Sequence, residues 1–111
     1  MHIAQEERLA RNEAFFREVN ERIMDVASGL GGGETAYEFL CECSDPQCTQ
    51  RLTLRPSEYE HIRANGARFV VVPGHQEPEI EKVTEREPAH LVVEKDGRAG
   101  EIAAELDPRA A

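Results

Sequence analysis

Apolar residues near the start of the chain recur at helical spacing. Leu9, Phe16, Val19, Ile23, Val26 and Leu30 follow a 3–4 repeat, with Asn12 as the polar member of the stripe. The pattern predicts one long amphipathic helix over 1–28. Glu7, Arg11, Glu18 and Arg22 sit on other faces and can pair one turn apart. The stripe admits two uses. One is packing against the domain's own sheet. The other is a helix–helix seam, with Asn12 fixing the register. Gly29-Leu30-Gly31-Gly32-Gly33 then stops the helix, and 29–34 reads as a Gly-rich hinge.

Beyond the hinge the period changes. Tyr37 to Cys43 and Thr49 to Leu54 read as two strands of a hairpin. Pro56 opens a short helix with Ser57 and Glu60 as a capping box, Tyr59 and Ile62 as its apolar side, and Asn65-Gly66 as its stop. Arg68-Phe69-Val70-Val71-Val72 is the strongest strand pattern, and Pro73-Gly74 turns it. Ile80 to Arg86 and His90 to Glu94 predict two further strands, the second closed by Asp96-Gly97. Glu101 to Leu106 predicts a helical turn, and Asp107 to Ala111 a frayed end. The expected fold is α+β: a long N-terminal helix, a hinge, and over 35–106 a small, mainly antiparallel sheet with one short helix.

Composition narrows the function. At 111 residues the chain is expected to be a single domain, and 5% aromatics without Trp leave aliphatic residues to pack a thin core. A net charge of −9 repels a phosphate backbone, so nucleic acid is disfavoured as a partner and a basic protein surface favoured. No apolar run is long enough for a membrane span, and the first residues lack a signal-peptide core, so a cytoplasmic setting is expected.

The three cysteines fall together in Cys41-Glu42-Cys43-Ser44-Asp45-Pro46-Gln47-Cys48. On a strand Cys41 and Cys43 share a face, Asp45-Pro46 makes a turn, and Cys48 comes back to the same point. An odd, tight cluster argues for metal rather than a disulfide framework. Three thiolates need a fourth ligand to close a tetrahedral zinc shell. His75, delivered by the Pro73-Gly74 turn, is the preferred candidate. His90 could reach the same end of the sheet. His61, His2, Asp45 and Glu42 are the remaining candidates. A closed Cys₃His set implies a structural zinc that stiffens a small fold.

Catalytic patterns are missing. There is no H-E-x-x-H or H-x-E with P-C-x-x-C, no serine in a nucleophile setting, and Glu42 would point away from the metal. Glu77, Glu79, Glu81, Glu85 and Glu87 read as a solvated acidic face. A zinc-linked redox switch is an alternative, with Cys43–Cys48 the easier disulfide. Against it, Glu42 and Asp45 beside the thiols would raise their pKa. A small metal-dependent enzyme is a further alternative. The composite expectation is a zinc-stabilised interaction or regulatory module that meets a protein partner, or a second copy, through its N-terminal helix.

The segments Arg11 to Ile23, Phe39 to Cys48 and Arg68 to His75 together resemble a group of small uncharacterised actinobacterial proteins. The likeness runs from about residue 8 to residue 95. It implies no activity, but it makes the cysteines and the Pro-Gly-His turn parts of one site.

Overall fold

A computed structural model describes residues 2–30 and 35–110, so most of the predicted hinge lies outside the described residues. The fold is α+β. Helix α1 spans Ile3–Gly29, and its N-terminus is capped by His2, whose Nδ1 accepts from the Ala4 amide at 3.2 Å. Strands β1 (Tyr37–Leu40) and β2 (Arg51–Leu54) form an antiparallel hairpin in which Tyr37 faces Leu54 and Leu40 faces Arg51. Helix α2 (Pro56–Arg63) leads to β3 (Arg68–Val71), β4 (Glu81–Arg86), β5 (Leu91–Lys95) and helix α3 (Gly97–Glu105). The last three strands make a separate antiparallel sheet in the order β3-β5-β4. Two small sheets therefore replace the single one expected.

The sheets are joined through the cysteine segment. The predicted first strand ends at Leu40, but the chain continues extended beside β3. The Glu42 amide donates to the Val70 carbonyl at 2.8 Å, and the Val70 amide donates to Glu42 Oε1 at 3.0 Å. This covers the open edge of β3, which would otherwise present unpaired backbone groups. Strand β3 is buried on both faces, which explains its continuous apolar run. Val70 and Val92 pack with Phe39, Leu54, Tyr59 and Met24; Phe69, Val71 and Val93 pack on the other face with Cys41, Cys43 and Ala103. Phe39 and Tyr59 stack at 4.8 Å between centroids, and each buried aromatic contributes roughly 1.5–3 kcal/mol.

Several local expectations change. α1 turns inward a face of small and polar residues: Ala10, Glu13, Ala14, Arg17, Asn20 and Ala27, with Phe16 and Met24. Of the predicted stripe only Phe16 is buried; Val26 and Leu30 are exposed. Asn12 donates to the Ser44 carbonyl at 3.1 Å, so it binds within the chain rather than setting a helix seam. The α2 cap is Arg55 with Glu58, not Ser57 with Glu60, because the Arg55 amide donates to Glu58 Oε1 at 2.9 Å. Helix α3 begins earlier than expected and lies along α1, its Ala99 amide donating to Glu6 Oε1 at 3.2 Å. Gly100 lets α3 pass close to the end of β5, since a Cβ there would meet the Lys95 carbonyl oxygen at 3.1 Å.

Residues 107–110 are tied down rather than frayed. Asp107 pairs with the buried Arg63, and Arg109 pairs with Glu21 at 2.7 Å and Glu60 at 2.6 Å. The acidic run is not wholly solvated either. Glu81 turns inward and, with Glu13 of α1, surrounds the buried ammonium of Lys95. Lys95 cannot remain charged there without such partners.

Candidate metal centre

The ligand candidates come from two parts of the fold. Cys41 and Cys43 leave the end of β1 with their side chains on one face, and Glu42 between them points the opposite way. Asp45 shapes the return: its Oδ1 accepts from the Gln47 amide at 2.8 Å, and its carbonyl accepts from the Cys48 amide at 3.0 Å. That double use makes the turn that brings Cys48 back. The fourth group arrives after β3. Gly74 adopts φ 97°, a left-handed conformation that glycine enters without a Cβ penalty, and the His75 amide closes the turn on the Val72 carbonyl at 2.9 Å.

Cys41, Cys43, Cys48 and His75 converge so that one ligand atom from each lies within 4.8 Å of every other. Bonds of about 2.3 Å to sulfur and about 2.0–2.1 Å to nitrogen, at a tetrahedral angle, need an S···N edge of about 3.6 Å. His75 Nδ1 stands 3.6 Å from Cys41 Sγ and 3.6 Å from Cys48 Sγ. The donor set and its spacing therefore fit a tetrahedral metal ion.

The surroundings favour a single thiolate first. Cys41 and Cys43 are buried and Cys48 is half-buried. The Val72 amide donates to Cys41 Sγ at 3.2 Å. Among the three thiols the first negative charge falls on Cys43, whose pKa is drawn down to about 5, chiefly by the hydrogen bond from Cys41. Cys41 is pushed up by that same bond and by burial, and Cys48 by burial. The expectation that Glu42 and Asp45 would raise every thiol is thus corrected for Cys43. The Glu42 carboxylate faces away, and Asp45 presents its carbonyl, 4.0 Å from Cys43 Sγ.

The other ligand candidates lie elsewhere. His90 and His61 line a separate cleft of about 460 Å³ between α2 and the β4–β5 edge, where His61 meets Glu85 at 2.9 Å. His2 caps α1. Glu42 is fully buried beneath the cluster as a three-way acceptor, from the Val70 amide at 3.0 Å, Asn20 Nδ2 at 2.9 Å and the Tyr59 hydroxyl at 2.7 Å. Burial raises its pKa, while these three donors pull it down. Asn20 also exchanges bonds with Leu40, accepting from its amide at 2.8 Å and donating to its carbonyl at 2.9 Å. Asn20, Glu42 and Tyr59 thus fix the cysteine segment to α1, α2 and β3 at once. The one signal for this in the sequence is Glu42, a charged residue at the inward-facing position between two ligands.

On its outer side the cluster borders a cleft of about 280 Å³ lined by Cys43, Asp45, His75 and Glu77 among others. Among the described residues no helix is long and apolar enough to cross a membrane. No protein-family model matches the chain, and no curated protein or solved structure matches it either.

Proposed function

We propose that this chain is a small zinc-stabilised protein-interaction module without catalytic activity. One observation carries the reading: three sulfurs and one imidazole nitrogen converge at tetrahedral spacing where the two sheets meet. Soft thiolates with one imidazole suit zinc among the common cations. Four protein ligands leave no open position for a reacting water, so the ion's role is structural. Cys41, Cys43 and Cys48 hold the hairpin end and His75 holds the end of β3, so the ion clamps one sheet to the other. Zinc binding then contributes folding free energy to the extent that the folded chain holds the ion more tightly than the unfolded chain does.

The test is metal content of protein purified without added metal, beside Cys41→Ser and His75→Ala. About one zinc per chain is expected, weakened in both variants, with loss of tertiary structure on chelation. A wild-type chain that folds without metal overturns the reading. The half-buried Cys48, with Cys43 on the border of an open cleft, also gives a redox role a concrete form. Zinc release by mild peroxide that reductant reverses would select it.

A further inference from the structure

From Phe15 onward, the face of α1 away from its buried side is largely apolar. At about 100° per residue, Phe15, Val19, Val26 and Leu30 fall within about 60° of one another, with Ile23 and Arg22 at the margins. Phe15 is 62% exposed, Val26 64% and Leu30 70%. Beside them Val19, Ile23, Val26, Ala27 and Tyr37 line a shallow groove of about 310 Å³. The inward face of the same helix spends its positions on alanines and buried polar groups. Phe16 and Met24 still face inward, but Phe15, Val26 and Leu30 remain outside, an exposed apolar patch that packing within one chain does not explain.

We propose that this face pairs with the same face of a second copy, the two α1 helices running antiparallel about a two-fold axis level with Asn20. The proposal rests on the interaction-module reading and names its partner. Two features point to self-pairing. The first is shape. Phe15 projects about two turns, or about 12 Å, before the centre of the groove. A two-fold axis near Asn20 seats each Phe15 in the other copy's groove, as an isologous contact requires. The second is charge. Glu18 and Arg22 lie on one flank of the stripe, paired with each other at 3.6 Å and largely exposed. The same axis sets Glu18 of each copy level with Arg22 of the other, which gives two reciprocal opposite-charge contacts.

The area sets the strength. Taking about 200 Å² for an aromatic and about 120 Å² for an aliphatic side chain, the stripe and groove margin offer about 400 Å² of apolar surface per copy. Stable interfaces begin near 600 Å² per partner, and homodimers are about 65% apolar, which asks for about 390 Å². The surface lies at or just below this lower limit, since the axis sets Leu30 level with Ala10 and Arg11 of the other copy, so the dimer is weak and concentration-dependent.

Sedimentation velocity of the full zinc-loaded chain, from about 1 to about 300 μM, tests this over the range that a weak dimer requires. The wild type is expected to pass from monomer to dimer. Val26→Glu and Phe15→Glu are expected to weaken the dimer at least tenfold. Glu18→Arg alone weakens it, and Glu18→Arg combined with Arg22→Glu restores it. Zinc content and far-UV circular dichroism on the same samples establish that each variant is folded. A folded, zinc-loaded wild type that stays monomeric at 300 μM overturns the pairing and leaves the metal reading standing. So does a dimer that both glutamate variants leave intact. A metal-free chain that still dimerises through these residues supports the pairing and overturns the zinc clamp instead.

Discussion

Glu42 offers a graded test of how the ligand segment is held. Its carboxylate is fully buried and takes hydrogen bonds from a β3 amide, an α1 amide side chain and an α2 hydroxyl. Glu42→Ala removes the acceptor and strands three buried donors. Each stranded donor costs about 1–3 kcal/mol; with partial entry of water the sum is about 4 kcal/mol. That is a large share of a small domain's stability of about 5–15 kcal/mol. Glu42→Gln is isosteric. Its carbonyl can keep the Val70 bond, and the Tyr59 hydroxyl can rotate to accept from the new amide. The Asn20 amide then faces another donor, so the cost is about 2 kcal/mol. Tyr59→Phe removes one donor along with its acceptor's third bond and costs about 1 kcal/mol. Urea unfolding at saturating zinc measures all three as shifts in midpoint at constant slope. The order Ala, then Gln, then Tyr59→Phe is the expected result. If Glu42→Ala costs under about 1 kcal/mol, or no more than Glu42→Gln, the carboxylate is not the anchor described here.

Three more outcomes follow from the same structure. Lys95→Met leaves Glu13 and Glu81 buried without their cation and should cost about 3–5 kcal/mol in urea unfolding, much of it recovered when both glutamates are also made apolar. Gly74→Ala meets no side-chain clash, so its cost is that of the left-handed backbone, about 1–2 kcal/mol, and competition with a chromophoric chelator should show weaker zinc binding as His75 shifts. Burial raises the Glu13 carboxyl from 4.5 to about 7. Between those values the folded chain holds a proton that the unfolded chain lacks, so this group's contribution to stability falls as pH rises from about 5 to about 7. Glu13→Gln should remove that component, read as the difference between variant and wild-type stability profiles at saturating zinc.

The convergence of Cys41, Cys43, Cys48 and His75 was legible because its signals are local. A C-x-C-x₄-C run and a Pro-Gly-His turn each fix their own geometry, and the apolar run of Phe69 to Val72 announces a buried strand. The hairpin and the α2 position followed from turn residues. The inward face of α1 was not legible. Periodicity weighs large apolar side chains, whereas this helix buries alanines for close approach and Glu13, Arg17 and Asn20 for specific partners. Nothing near Glu81 in the sequence marks it as the counter-ion of Lys95, since that contact depends on how α1 crosses the sheet. The first turn of α3 was not legible because Gly97 and Gly100 are poor helix formers; Gly100 serves the close approach to Lys95 instead.

The spread of the candidate ligands along the chain would decide how a bound ion couples to folding. Three of them lie within eight residues, while His75 is 34 residues from Cys41. An unfolded chain can therefore already gather zinc on its cysteines, and metal held by both states stabilises neither over the other. Only the affinity added by His75, which is in place once β3 and its turn have formed, favours the folded state. The imidazole is accordingly the thermodynamic reporter of the fold: His75→Ala should flatten the dependence of the unfolding midpoint on zinc concentration more than it lowers the amount of zinc bound.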